Sequence, residues 1–166
     1  MFAGNPELTL RRAVPDDAWA VQNLIHAAFA RHAPALGRKP RAMLADYALA
    51  VRAHQVWVLA EAPPKQREEQ QNADSLIAVL ELIAEEAHLA IQALAVRPDR
   101  QRRGLGTALM QLAEQEARRQ GVPLLKLNSP EIMTESLSLC AALGFHETHR
   151  QPAWDSQIVF MEKVLA

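Results

Sequence analysis

The sequence has few of the residues that typify disulfide-rich, metal-binding or membrane proteins. Its single cysteine, Cys140, excludes an internal disulfide and a multi-thiolate metal site in a chain of 166 residues. The six histidines are scattered without an HExxH or similar spacing, so no metal is predicted. No apolar run approaches the roughly 20 residues of a membrane span, and the amino-terminal stretch lacks the apolar core of a signal peptide. We therefore expect a cytoplasmic protein with no membrane segment.

The sequence also lacks a large excess of either positive or negative charge. The 18 Lys and Arg residues oppose 19 Asp and Glu residues, which leaves a formal net charge of -1. A general nucleic-acid-binding protein would carry a basic surplus, so nucleic acid is not expected as a partner. The length suits one domain with a sizeable core, and we predict a single domain over 1–166.

Hydrophobic periodicity predicts a mixture of strands and helices. Strands are predicted at 7–13, 55–62, 75–83, 84–96 after a tight polar turn, 124–129, 145–150 and 157–165, with a loop containing Pro152 and Trp154 between the last two. Helices are predicted at 15–32, 41–53, 104–120 and 135–143, and an exposed hairpin loop at 63–74. The order β-α-α-β-β-β-α-β-α-β-β predicts a mixed α/β fold, with a mostly antiparallel sheet, one parallel right-handed crossover and helices on both faces.

The most informative stretch is VRPDRQRRGLGTAL at 96–109, which follows an apolar strand and opens a helix. The first N–H groups of a helix have no intrahelical acceptor and carry partial positive charge. Gly104 and Gly106 leave the main chain accessible, and the neighbouring arginines and threonine add donors. This combination predicts an anion site, although the residues alone also fit a solvent-exposed basic turn. The spacing matches neither the GxGxxG fingerprint nor the P-loop.

In this setting the sequence resembles the GNAT superfamily of N-acetyltransferases. LAVRPDRQRRGLGTALM at 94–110 is similar to that family's acetyl-CoA motif, SLSLCAALGFHE at 136–147 is similar to its downstream helix, and the predicted element order matches its fold. The resemblance implies acetyl-CoA as the donor, with pyrophosphate on the main-chain N–H groups of 101–107 and pantetheine along 94–96, where the fourth and fifth strands splay apart. The residues it implies in acetyl-CoA binding are Leu94, Ala95, Val96, Gln101, Arg102, Arg103, Gly104, Leu105, Gly106, Thr107 and Asn128.

The catalytic groups of the family match less well. An amine that attacks a thioester needs a base, and the leaving thiolate needs an acid. Cys140 replaces the family's usual tyrosine and either donates a proton or simply packs. On the fourth strand, Ala90 and Gln92 replace ionisable residues, so His88 on the same face is the candidate base and Gln92 can orient a water. Glu81 is a further candidate if its face of the third strand turns inward, and proton loss to bulk water is the alternative.

The resemblance implies transfer of an acetyl group from acetyl-CoA to a primary amine of a small molecule or peptide by direct attack. A non-catalytic acyl-CoA-binding or sensing module of the same fold is the alternative, because two familiar polar groups are absent. A nucleotide-phosphate binder is a third. Basic residues within 29–47 and 149–157 would shape the acceptor pocket and suit a carboxylate-bearing amine, and the apolar stretch 157–165 could pair two chains as a homodimer.

Overall fold

The structure is a computed structural model that describes residues 7–61, 75–153 and 156–166. Its strands are β1 (Leu8–Arg12), β2 (Gln55–Glu61), β3 (Leu76–Ala84), β4 (Leu89–Val96), β5 (Leu124–Pro130), β6 (His146–Ala153) and β7 (Ser156–Val164). Its α-helices are α1 (Ala18–Phe29), α2 (Ala33–Leu36), α3 (Arg41–Leu44), α4 (Tyr47–Ala53), α5 (Leu105–Arg119) and α6 (Thr134–Ala142). The predicted hairpin loop at 63–74 and Trp154 lie outside the described residues.

The strands form one sheet in the order β1-β2-β3-β4-β5-β7-β6. Neighbouring strands are antiparallel except β4 and β5, which are parallel and joined through α5. The predicted mixed α/β fold, with its mostly antiparallel sheet and single parallel crossover, is therefore confirmed. The parallel pairing is short, with Leu89 opposite Leu125 and Ala90 opposite Lys126. Beyond Ala90 the two strands part, and this opening positions the candidate site.

Helices cover both faces of the sheet, as predicted. Leu80 and Leu82 of β3 pack into one apolar cluster with Leu109 of α5. Val79, which points the other way because side chains alternate along a strand, packs into a second cluster with Ile25 of α1 and Val51 of α4. Each face of the central strands is thus buried against its own helical layer.

The prediction of a single helix over 41–53 is wrong. The chain leaves helical geometry at Ala45, which is extended with ψ of 148°, and helix α4 starts again after Asp46. The Asp46 side chain accepts a hydrogen bond from the Leu49 N–H at 3.2 Å, which caps the new helix. An aspartate in the middle of an apolar pattern was the available signal, since this residue favours a helix start over a helix interior.

The placement of Pro152 in a loop is also wrong. Pro152 lies within β6 and stands opposite Gln157 of β7. β6 is the outer strand of the sheet. A proline is compatible with an edge strand because its missing N–H can fall on the side that has no neighbouring strand.

A bidentate ion pair joins the first strand to the start of the first helix. Arg11 donates from Nη1 and Nη2 to the two carboxylate oxygens of Asp17, at 2.6 and 2.9 Å, and the Val14 N–H donates to the same carboxylate at 2.8 Å. Asp17 is only 2% exposed. The hydrogen bond from Arg11 is the main cause that lowers the pKa of Asp17 below its ordinary value.

We expect Asp17→Asn to lower the free energy of unfolding by about 2 kcal/mol at pH 7, the usual size for hydrogen bonds to a charged group. Because the folded-state pKa is lowered, this stabilisation is complete above the pKa of an unfolded aspartate, about 3.9, and is lost as pH falls through the folded-state value. Urea denaturation from pH 7 to pH 3 measures the difference. Asp16→Asn, at the exposed neighbouring position, is the control. A stability gap between the two variants that does not narrow below pH 4 would contradict this account.

Candidate functional site

The candidate site begins at a β-bulge in β4. Leu82 of β3 stands opposite Ile91, whereas Glu81 stands opposite Ala93, so Gln92 has no residue opposite it in β3. A bulge increases the local twist and bends the strand. This one lies just after the last residue of β4 that pairs with β5. The free edge of β4 beyond the bulge therefore offers N–H and C=O groups to a ligand.

A cleft of about 300 Å³ opens beside this edge. It is bounded by the end of α1, the last residues of β4, the turn into α5 and the start of α6. The structure brings nine of the predicted donor-binding residues into its lining: Leu94, Ala95, Val96, Gln101, Arg102, Gly104, Leu105, Gly106 and Thr107. Arg103 and Asn128 are exposed and lie outside this lining.

The turn into α5 borders the cleft and carries main-chain N–H groups without a helical partner. The Ala108 N–H makes the first bond of the helix, to the Gly104 carbonyl at 3.0 Å, so the three N–H groups before it lack an intrahelical acceptor. Gly104 has φ of 81° and Arg102 has φ of 62°. A non-glycine residue in this left-handed region costs roughly 1–2 kcal/mol, and such strain is concentrated at functional sites. The Gln101 side chain donates to the Val96 carbonyl at 3.0 Å and ties the turn to β4.

Part of the positive charge in the basic stretch is already neutralised within the fold. Arg97 donates to Asp99 at 2.6 Å, and Arg100 donates to both carboxylate oxygens of Glu61 on β2, at 2.8 and 2.6 Å. The hydrogen bond with Glu61 is the main cause that raises the pKa of Arg100. The hydrogen bond from Arg97 is the main cause that lowers the pKa of Asp99. The arginines of this stretch therefore divide into a pair that holds the turn in place and a pair, Arg102 and Arg103, that is exposed.

Besides Arg100, three charged or titratable side chains in the cleft were not among the predicted donor-binding residues. Arg31 and His32 come from the end of the first helical segment, and Glu135 comes from the start of α6. Glu135 lies 3.9 Å from Arg31 and 3.5 Å from Arg102, in exposed pairs that contribute little stability. Burial, and then the charge of Arg31, lower the pKa of His32, which favours the neutral imidazole. No local motif marks these residues, because the cleft forms only when distant segments pack together.

The three candidate catalytic residues lie outside the cleft lining. His88 stands in the turn before β4, where its carbonyl accepts from the Glu85 N–H at 3.0 Å. The Gln92 side chain accepts a hydrogen bond from Arg41 at 3.1 Å. Cys140 is 8% exposed within the apolar cluster on the α5 face, and this burial raises the pKa of its thiol to about 11. Their catalytic roles stay predictions.

We expect Cys140→Ala to change the rate of acetyl transfer by less than about threefold, because the thiol packs against apolar side chains outside the cleft. Steady-state kinetics with acetyl-CoA measure the effect. A general acid contributes about 100-fold or more. A loss of that size in Cys140→Ala, at unchanged thermal stability, would identify Cys140 as the proton donor to the leaving thiolate.

The family model for the acetyltransferase (GNAT) family matches residues 46–145, which is more than half of the chain. The matched range contains the bulge, the cleft turn and helix α5. The chain belongs to the GNAT family. A search of curated proteins returns no match to the sequence.

Solved structures similar to this GNAT chain cover nearly its whole length. The ribosomal-protein-S18-alanine N-acetyltransferase from Escherichia coli is 18% identical, with 96% of this chain and 94% of that chain covered and a TM-score of 0.68. The PaiA N-acetyltransferase from Thermoplasma acidophilum, in complex with coenzyme A, is 13% identical, with 95% and 98% covered and a TM-score of 0.70. A GNAT family acetyltransferase from Elizabethkingia anophelis with acetyl-CoA bound is 14% identical, with 97% and 100% covered and a TM-score of 0.64. At these identities the likeness shows the fold.

The described part of this GNAT chain was also searched for membrane-spanning helices and for metal sites. None of the helices in the described ranges combines the length and apolar character that crossing a bilayer requires. Among the same residues, no three His, Cys, Asp or Glu side chains lie close enough together to hold a metal ion.

Proposed function

We propose that this GNAT protein transfers an acetyl group from acetyl-CoA to a primary amine. The observation that carries the proposal is the free edge of β4, which runs from the bulge into the cleft at the start of α5. The amides of pantetheine can pair with the main chain of 94–96 as an added strand, and the pyrophosphate can accept from the N–H groups of 105–107. The relatives solved with coenzyme A or acetyl-CoA support this choice of donor.

The same edge can serve the chemistry of transfer. The acceptor ammonium first loses a proton, because only the neutral amine has a lone pair. The amine nitrogen then attacks the thioester carbonyl carbon, so a C–N bond forms while negative charge develops on the carbonyl oxygen. A main-chain N–H within 94–96 can donate to that oxygen. The C–S bond then breaks, the nitrogen loses its second proton, and the thiolate takes up a proton.

The opposite side of β4 supports an acceptor that carries a carboxylate. Gln92 faces away from the α5 layer, because Leu89 and Ile91 pack into that layer. Arg41 of α3 reaches Gln92 and binds its amide oxygen at 3.1 Å. An amide carries no charge, so this guanidinium can still bind a carboxylate beside the bulge. We therefore propose an amino acid or a peptide as the acceptor class.

The test is acetyl-CoA-dependent thiol release with matched amines. The panel contains free L-amino acids, the corresponding L-amino acid amides, tripeptides with a free amino terminus, and aliphatic polyamines. We expect turnover of at least one class, and a preference of about tenfold for an amino acid over its amide, as expected for one charge-assisted hydrogen bond. Turnover of amides and acids at equal rates would contradict a carboxylate-bearing acceptor.

Two binding measurements, run beside the thiol-release assay, separate the alternative functions. Binding of coenzyme A in calorimetry without turnover of any amine would favour the acyl-CoA-sensing module. Greater thermal stabilisation by ATP or NAD than by coenzyme A would contradict the proposed donor, because the ligand that binds the native state more tightly stabilises it more at equal concentration.

A further inference from the structure

Beside the β4 bulge lies a buried ion pair that the chemistry above does not use. Glu81 of β3 is 2% exposed, and its Oε1 lies 2.6 Å from Nδ1 of His54 at the junction between α4 and β2. Two atoms that both have lone pairs need a proton between them at that distance. The His54 side chain is 30% exposed. The pair therefore has one buried end and one end in contact with solvent.

The side chain that pairs with the buried Glu81 carboxylate is a histidine and not an arginine or a lysine. Within the described ranges, the ion pair of Glu81 is with a histidine, whereas the equally buried Asp17 is paired with an arginine. A buried carboxylate is costly unless its charge is compensated. Here the partner is an imidazole that shares a proton with the carboxylate, in place of a guanidinium with a permanent charge.

A buried tyrosine and an arginine lie next to the pair. Tyr47 of α4 is fully buried and donates to the Ala42 carbonyl at 2.7 Å; burial, and then the charge of Glu81, raise its pKa. Arg12 of β1 donates to the main-chain carbonyl of His54 at 3.5 Å.

The position of Glu81 relates the pair to the proposed reaction. Glu81 stands opposite Ala93, the residue that follows the bulge, on the strand next to the free edge of β4. Leu80 and Leu82 pack into the α5 layer, so Glu81 points to the other face, where Gln92 and Arg41 meet. Paired Cα atoms lie about 5 Å apart, and the alanine beside the carboxylate is small. One or two bridging waters can therefore connect the Glu81 carboxylate with an amine at the bulge.

We infer that the Glu81–His54 pair receives, through water, the proton that the acceptor ammonium loses before its nitrogen attacks the thioester. This inference rests on the proposed function. With one shared proton the pair carries a single negative charge. It becomes neutral when the Glu81 carboxylate takes the ammonium proton, and the carboxyl returns that proton to water once the amine has reacted. The shared proton at Nδ1 of His54 holds the carboxylate in place throughout. Glu81 accepts the proton and His54 positions it; we call the two the relay residues, and the bond-making step is left to the amine.

The test compares Glu81→Gln and His54→Gln with His146→Gln. His146 on β6 also faces a glutamate, Glu162, at 3.6 Å, but it is exposed and lies on the outer strand of the sheet. With the best amine of the panel, we expect kcat/KM at pH 7 to fall about 10- to 100-fold in both relay variants, toward the lower range for general base catalysis. Binding of acetyl-CoA and the rate of His146→Gln should stay near wild type. The defect should shrink as pH rises, because more of the amine is then already neutral.

Several outcomes would overturn the inference. A loss of equal size at every pH would indicate a structural role. Wild-type rates in both relay variants would show that the pair takes no part in proton transfer. If Glu81→Gln fails to fold, His54→Ala decides: added imidazole should restore part of its activity, and no restoration would count against the relay. Absence of turnover by the wild-type protein contradicts the proposed function and the inference together, whereas normal turnover by the relay variants contradicts the inference alone.

Discussion

Replacing Gly106 by glutamate should raise the dissociation constant for coenzyme A by more than about 100-fold, a loss of roughly 2.7 kcal/mol. A Cβ at this position would lie 3.5 Å from Leu139 and 3.9 Å from Leu94, which is ordinary contact, so the side chain beyond it must extend into the cleft that these residues line. There it would occupy the donor's volume and place a negative charge beside the proposed pyrophosphate position. Isothermal titration calorimetry with coenzyme A measures the change.

Two controls separate volume and charge in the cleft from effects on the helix. Gly106→Ala adds a methyl group that the neighbouring leucines accept at contact distance, so we expect binding within about fivefold of wild type, a cost of roughly 1 kcal/mol. Gln115→Glu adds the same charge at an exposed position of α5, and binding should not change. If Gly106→Glu binds coenzyme A within tenfold of wild type, the cleft is not the donor site.

Replacing Leu109 by alanine should lower the free energy of unfolding by about 3 kcal/mol, within the range measured for buried leucines. Leu109 is completely buried between α5 and the central strands, so the truncation removes apolar contacts and leaves a cavity that its neighbours fill only in part. Urea denaturation at constant pH measures the loss. It matters for function because Leu109 lies in the first turns of the helix whose start borders the cleft.

The matched control for this prediction is Leu49→Ala on α4. Leu49 is 64% exposed, and its truncation should change the stability by less than about 0.5 kcal/mol. A comparable loss in the two variants would mean that α5 does not anchor the core as described.

The basic stretch at 96–109 separates what neighbouring residues can predict from what they cannot. Its position between a strand and a helix was readable, because apolar periodicity and the glycines are local signals. The roles of its arginines were not, since Glu61 lies 39 positions before Arg100 and reaches it only when β2 and the turn pack together. For the same reason, charge counted along the chain overstated the positive charge available to an anion.

The candidate catalytic residues show what sequence position alone does not predict, namely which titratable side chains lie near the cleft. A motif position suggests Cys140 and strand alternation suggests His88, and neither residue lines the cleft. Glu81 was considered only on the condition that its face turned inward, which strand alternation by itself does not decide. Burial of that face under α1 and α4, together with contact to His54, made it the stronger candidate for proton transfer.

By itself, the sequence determined the order of the strands, the parallel crossover and the glycine-opened start of α5, because each depends on periodicity or backbone preference over a few residues. The tertiary structure alone decided where β4 parts from β5, that Gln92 forms the bulge, which acids neutralise Arg97 and Arg100, and that His54 meets Glu81. Strand register and side-chain partners join residues far apart in the chain. They are settled by how complete layers pack, and no short stretch of sequence contains that information.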